Sequence, residues 1–472
     1  MRIDPWRARL LAAGLSLSAA AGCAAPSAAS DLGRIRELSH LDLPSSTAAE
    51  EVEPAATSDA RPLLSRPLTA DAAVRVALLN NRELRAALRE IGVARGHLVQ
   101  AGVLPNPELE VQVTPRQGTL EHTRVELGVE FDLTSAILAP LGERAARADH
   151  EAARYRAAGA VVELGYSVRA AFYAAQATQQ RLAIANRALD AFTAARDAAR
   201  ALFEAGNVPE LDVATQEAGY EAARVAVAGI ELGLLDRREQ LQRLLGLSGA
   251  ETSWRIADEI PRPPEKLAMP PRPEARALSA SLELAELRSR LEAAAGRAGL
   301  ARTAGWLPDL SVGVRGERED EVWQVGAGLR LTLPLFDRKQ GATMAHAAEF
   351  DSLLERYHGR AIDVRSAVRA AQNRLASAHA RVLHHQRVLV PARTRVLEQT
   401  LLQYNAMQVG VFELLQARRE QLDAELAQVD ALRDYWTSRA AFDAILAGRR
   451  VEVMGTIAPA PMSGAAESGG GH

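Results

Sequence analysis

The chain has 472 residues, 48% apolar but only 4% aromatic, because alanine supplies much of the apolar share. Such a composition buries little area per residue and argues against one large globular core. Fifty-nine acids against 56 bases leave a formal charge of −3, which excludes a broadly basic nucleic-acid binder. Beyond the N-terminus, no run of about 18 apolar residues could cross a bilayer as a helix.

The first residues read as an export signal. Arg2, Arg7 and Arg9 precede an apolar stretch from Leu10 to Leu17, which ends in Ala20-Ala21-Gly22-Cys23. Cys23 is the single cysteine, so an internal disulfide is excluded. Small residues before it resemble a bacterial lipoprotein processing site, with Ala20 standing where Leu is usual. Residues 1–22 are thus expected to be a lipoprotein signal peptide and Cys23 the lipidated (palmitate-bearing) first residue of the mature chain. Ala24 rather than Asp after it is compatible with sorting to the outer membrane. Residues 23–67, rich in Ser, Ala and Pro, read as an extended, lipid-anchored tether.

Two copies of one pattern follow. Gly102-Val103-Leu104-Pro105-Asn106 returns as Gly305-Trp306-Leu307-Pro308-Asp309, 203 residues on. Gly128–Leu133 returns as Gly328–Leu333 at 200, and Val208–Val213 as Val409–Leu414 at 201. Repeat 1 is placed at 68–247, a Pro-rich linker at 248–272, repeat 2 at 273–448 and a flexible tail at 449–472.

Each repeat opens with a helix, Thr69–Gln100 or Pro273–Ala304, with Thr69 as N-cap of the first. Alternating segments come next. Val125, Leu127, Val129, Phe131 and Leu133 interleave with Arg124, Glu126, Gly128, Glu130 and Asp132. In repeat 2, Trp323 to Leu333 alternates in the same way. Their partners Leu109/Val111/Val113 and Leu310/Val312/Val314 predict two hairpins of strand length suited to a membrane. Residues 141–208 contain no proline, which predicts a helix roughly 100 Å long. Turns at 205–207 and 407–410 then reverse the chain into helices Leu211–Leu245 and Phe412–Leu446. Four strands leave two unpaired edges, so closure in lipid would require identical chains to share one barrel.

These repeats, the Leu104-Pro105-Asn106-Pro107-Glu108-Leu109 segment, the Gly142–Arg147 opening of the long helix, and the Pro-rich middle resemble the TolC family. Its members are outer-membrane efflux channels of Gram-negative bacteria. The resemblance covers about Leu68 to Gly448 and is nearest the cation-efflux (CzcC-like) branch. It implies an α+β membrane protein: a homotrimer with a long periplasmic α-helical barrel of coiled-coil hairpins, plus four strands per chain in a shared 12-stranded transmembrane β-barrel. The implied function is a passive outer-membrane duct of a tripartite efflux system. It would export metal cations or small toxic organic compounds with a periplasmic adaptor (membrane fusion) protein and an RND-type inner-membrane pump. Gly206, Asn207, Val208, Gln408, Val409 and Gly410 match the family's adaptor-facing tips, and Asp212 and Glu413 its acids near the periplasmic aperture. Some members pair those acids with a base on the second tip; here residues 407–412 hold no Lys or Arg.

If the polar strand face is the lumen, Glu108, Glu110, Glu126, Glu130, Asp132 and Glu317 stand against Arg124, Arg315 and Arg330. That is −3 per chain and predicts a cation preference. No phosphate loop, H-E-x-x-H, cysteine pair or G-x-S-x-G is present, so no enzyme, cofactor or metal site is expected. His379, His384 and His385 lack i, i+4 spacing and read as a solvated helix face. The rival readings are a periplasmic adaptor, which would normally carry one helical hairpin without the duplication, and a coiled-coil spacer, which leaves the strands unexplained.

Overall fold

A computed structural model describes residues 26–43, 55–116, 119–249, 253–257, 259–319 and 322–451. The leader, Cys23 and most of the tail lie outside the described residues. In chain order the helices and strands are α1 (Ala28–Ser39), α2 (Ala55–Leu64), α3 (Ala70–Asn80), α4 (Arg82–Gly102), β1 (Glu108–Arg116) and β2 (Thr119–Asp132). Then come α5 (Leu133–Glu204), α6 (Glu210–Leu245), α7 (Pro273–Ala280), α8 (Leu282–Ala304), β3 (Asp309–Glu319) and β4 (Val322–Thr332). The chain finishes with α9 (Gln340–His384), a π-turn (His385–Leu389), α10 (Val390–Asn405) and α11 (Val411–Leu446). The chain divides into two units.

The first unit comprises 1–41, 83–160 and 282–362. Its strands form two antiparallel hairpins joined through β2 and β3, in the order β1-β2-β3-β4. Asp132 closes β2 and accepts the Ser135 N–H at 2.9 Å, so the strand passes directly into α5. The helix therefore starts eight residues before the predicted Leu141 and runs through Pro140. Thr134 ties the repeats together: its hydroxyl donates to the Pro308 carbonyl (2.9 Å) and accepts the Leu310 N–H (2.7 Å). Small residues let the helices approach closely; a Cβ on Gly296 of α8 would stand 3.1 Å from the Ala145 Cβ of α5. Arg297 bridges three helices, reaching Asp149 at 2.6 Å and Glu349 at 3.0 Å.

The fold class differs from the expected one. The chain is mostly α-helical with one small antiparallel sheet, not an α+β membrane barrel. The sheet is open, with β1 and β4 as its edges, and is not closed into a barrel. Four strands of nine to 14 residues are too few for their twist to bring the edges together. Among the described residues no helix is long and apolar enough to cross a membrane. The tether also differs: residues 28–39 and 55–64, expected to be extended, are helical.

The second unit comprises 42–82, 161–281 and 363–472. Its buried residues come from both repeats, including Val76, Val168, Phe172 and Leu245, and Leu375, Tyr435 and Phe442. The opening helix predicted as Thr69–Gln100 is two helices, broken at Asn81, although Thr69 does cap the first by accepting the Ala72 N–H at 3.2 Å. The break is held by the end of α6. The Asn81 side-chain amide donates to the Leu244 carbonyl (2.9 Å), and Gly246, at φ +68, presses against the Asn80 backbone. A matching break falls at Ser281 between α7 and α8.

The proline linker forms one isolated backbone bridge, Leu68 with Ile256, and is otherwise held by side chains. Gln176 donates to the carbonyls of Ala257 and Glu259, and Trp436 to that of Pro261, each at 2.8 Å. His379 Nε2 meets the Pro264 carbonyl at 2.7 Å. His379 is therefore buried, at 7% exposure, rather than on the solvated face expected for it. The linker's packing decides this, and helix spacing carries no sign of it.

Candidate functional site: the charged sheet face and the helical tips

Strand register sorts the side chains of the sheet onto two faces. One row reads Glu110, Gly128, Arg315, Gly326 across β1 to β4, and its neighbour reads Glu108, Glu130, Gly313, Gly328. The face is concave, with a volume of about 680 Å³, lined in part by Glu108, Glu110, Glu130, Ser311, Arg315 and Arg330. The opposite face carries Leu109, Val325 and Leu329, each at least 70% exposed, so it is not packed on helices.

All three bases expected on the polar face are paired. Arg315 reaches Glu110 at 3.2 Å, Arg330 reaches Glu130 at 2.6 Å, and Arg124 engages Glu126 at 3.1 Å together with Glu317. The Arg315–Glu110 pair spans β2, whose intervening residue is Gly128. A Cβ there would meet the Glu110 Cβ at 3.6 Å and Arg315 Nε at 3.9 Å. The sequence reading placed Gly128 at a polar position of the alternation but did not connect it with an ion pair across the strand. Asp132 is engaged by its Ser135 cap. Glu108 sits opposite Glu130 in register, and Glu130 holds Arg330.

The tips belong to the second unit. At the first, Gly206 is left-handed (φ +74), and the Asn207 N–H donates to the Leu202 carbonyl at 2.8 Å. At the second, Met407 takes the same conformation (φ +58), and the Gln408 N–H donates to the Gln403 carbonyl at 2.9 Å. Both bonds satisfy end carbonyls of the outgoing helix. Pro209 and Gly410 are the N-caps of the returning helices, and neither supplies a side-chain cap bond. Val208 and Val409 lie between these turns and caps. Asp212 and Glu413 each occupy the third helical position, beside free N–H groups and the positive dipole end. A Cβ on Gly410 would come within 2.8 Å of Glu413 Oε2, so this carboxylate folds back over its cap. Among the described residues no group of His, Cys, Asp and Glu could hold a metal ion.

The sequence model of the family described as "Outer membrane efflux protein" matches residues 73–247 and again residues 275–448. The cobalt-zinc-cadmium resistance protein CzcC of Cupriavidus metallidurans is 24% identical over 389 residues, spanning 80% of this chain and 90% of that one. Solved structures share the fold. The Campylobacter jejuni CmeC outer membrane channel matches with a TM-score of 0.70 at 15% identity, over 81% of this chain and 86% of that one. The open state of the Neisseria gonorrhoeae MtrE outer membrane channel matches with 0.65 at 17% identity, over 81% and 89%. Hairpin sheet, doubled helical tips and two successive family matches agree: the chain belongs to the outer membrane efflux protein family, whose members are transport channels and not enzymes.

Proposed function

We propose that this protein is the outer-membrane duct of a tripartite efflux system that exports metal cations. The reading is carried by the family match recurring once per repeat, so that each repeat supplies one hairpin and one tip. Likeness to a cobalt-zinc-cadmium resistance protein favours metal cations over organic compounds. An open apolar sheet face fits a lipid environment.

A homotrimer is the oligomer proposed. Along α6, Leu211, Ala214, Ala218, Val225, Ala228, Leu232 and Leu235 fall on a seven-residue repeat interrupted by Glu221 and are all exposed, a seam suited to a second copy of the chain. The tips at 206–208 and 408–410 would meet a periplasmic adaptor of an RND-type pump, with Asp212 and Glu413 beside the aperture. Cys23 would carry the lipid after removal of residues 1–22. Acids outnumber bases on the polar face, which supports a preference for cations.

The deciding experiment is the mass and conductance of detergent-extracted protein. Three chains per particle and conducting events in a planar bilayer are expected; a non-conducting monomer would overturn the reading. Glu126→Gln with Glu130→Gln is expected to shift the reversal potential in a salt gradient toward anions. An unchanged potential would remove the cation preference. Intact mass is expected to show an acylated N-terminal Cys23.

A further inference from the structure

The segment next to the lipid anchor is built as a docked helix. Ser27 caps α1, its side chain accepting the Ser30 N–H at 3.2 Å. His40, left-handed at φ 53, ends it by donating its N–H to the Arg36 carbonyl. Leu32, Ile35 and Ser39 share one buried face, and Ile35 has no exposed surface. The unusual member of that face is Asp31, a carboxylate 3% exposed.

Asp31 sits among three basic side chains from two helices. Its Oδ1 lies 2.6 Å from Arg154 Nη2 and 2.8 Å from Arg154 Nε, with His150 Nε2 at 3.3 Å. Its Oδ2 lies 3.4 Å from Arg95 Nε. Arg95 belongs to α4, and His150 and Arg154 belong to α5. Glu151 also pairs with Arg154. Asp31 and Glu151 thus face Arg95, His150 and Arg154. On the open side of α1, Arg34 pairs with Glu37 at 2.8 Å, where Glu37 is 69% exposed.

A buried ion pair adds little net stability, but losing one partner leaves an uncompensated charge, which is strongly unfavourable. Removing Asp31 would leave Arg154, 13% exposed, with Glu151 as its remaining acid in this cluster. Other registers of α1 would also place an apolar or differently charged side chain against two guanidinium groups. The charge therefore selects one docking position.

We propose that α1 is a charge-keyed clasp: Asp31 fixes the start of the mature chain in one register against α4 and α5, so that the anchor is held at a defined place instead of on a free leash. Four residue steps separate Cys23 from Ser27, so the anchor can stand no more than about 14 Å from the cap of α1. The anchoring half of this proposal rests on lipidation of Cys23; the clasp itself does not.

The clasp is constitutive at neutral pH. Burial pushes the Asp31 carboxyl up, but the hydrogen bonds and charges of His150 and Arg154 outweigh it and hold it below its ordinary range. A carboxylate with a depressed folded value contributes its stabilisation above its unfolded value, about 3.9, and loses it as pH falls through the folded one. The contribution of Asp31 to docking is therefore expected to be lost as pH falls below about 4.

Hydrogen exchange on the full-length, detergent-extracted protein tests the clasp. Residues 28–39 are expected to be protected in the wild type, and trypsin to spare Arg34 and Arg36. Asp31→Asn should lower that protection by at least about tenfold while the sheet exchanges as before; Glu37→Gln should change nothing. Wild-type residues 28–39 exchanging at unprotected rates, or an Asp31→Asn pattern equal to wild type, would overturn the clasp, and the wild-type arm decides even where the variant misfolds. Cys23→Ala separates the two halves. Retained protection without acylation supports the clasp, and lost protection would show that the membrane, not Asp31, holds the helix. A wild-type mass lacking acyl chains would remove only the anchoring half.

Discussion

The two repeats build their long helix differently. In repeat 1, α5 runs unbroken for 72 residues. In repeat 2, the equivalent stretch is α9, a five-residue π-turn, and α10. Val168-Arg169-Ala170-Ala171 corresponds to Val368-Arg369-Ala370-Ala371 and Leu189 to Leu389, all 200 residues apart. From Thr193 and Thr394 to the tips the spacing is 201. Structural roles follow the same correspondence. Arg169 reaches Asp71 at 3.1 Å, and Arg369 reaches Glu274 at 3.3 Å. Beyond the π-turn, Thr193 and Thr394 both donate their hydroxyls to the carbonyl four residues back.

Repeat 2 thus carries one extra residue, and the π-turn is where it is stored. In an α-helix an insertion would rotate everything downstream by about 100°. Widening one turn absorbs it: the Val390 N–H donates to the His385 carbonyl, five residues back, and the tip keeps its phase. Pro391 fixes the place, since it has no N–H and its ring would collide with the carbonyl of Arg387 in a regular ladder. A duplicated fold can therefore tolerate a length change inside a packed helix if one turn takes it up.

The largest effect expected from this comparison comes from giving α5 the proline that repeat 2 tolerates. Asp190→Pro, at an exposed position with no wide turn to receive it, should destabilise by about 3 kcal/mol in equilibrium unfolding. A loss below about 1 kcal/mol would mean that α5 can also open. Next, Gly246→Ala should cost about 2 kcal/mol, from the left-handed backbone and a Cβ 2.6 Å from the Asn80 carbonyl. The corresponding residue of repeat 2 is already Ala447, with φ −82, and the left-handed residue there is Gly448. The Schellman turns give a smaller effect of opposite sign. Met407 is 94% exposed and holds φ +58 without packing in return. Met407→Gly, which copies Gly206, should stabilise by about 1 kcal/mol on the same unfolding measurement. The smallest effect belongs to deletion of Pro391, which removes the extra residue and the helix breaker together. Stability should stay within about 1 kcal/mol, and exchange at 385–390 should slow to α-helical rates. If exchange there stays fast, the π-turn does not arise from the insertion.

Much of the candidate site was legible because its signals are local. The alternation at 123–133 and 323–333, the tip glycines, and the third-position acids Asp212 and Glu413 all express short-range geometry. Pairing was not legible. Arg315 meets Glu110 from 205 positions away, across Gly128, and no spacing rule contains that contact. The shift of spacing from 200 to 201 was present in the sequence, but its location was not, because a loop could have held the extra residue equally well.

By itself, then, the sequence determined the duplication, the alternating strands, the long helices, the Thr69 cap and the proline linker. Each depends on backbone stereochemistry or on periodicity within a few residues. Tertiary structure alone decided that the opening helix breaks at Asn81, that His379 is buried under the linker and that residues 28–39 dock through Asp31. Those outcomes depend on which distant surfaces meet, where desolvated charges and carbonyls must find partners that sequence proximity does not supply.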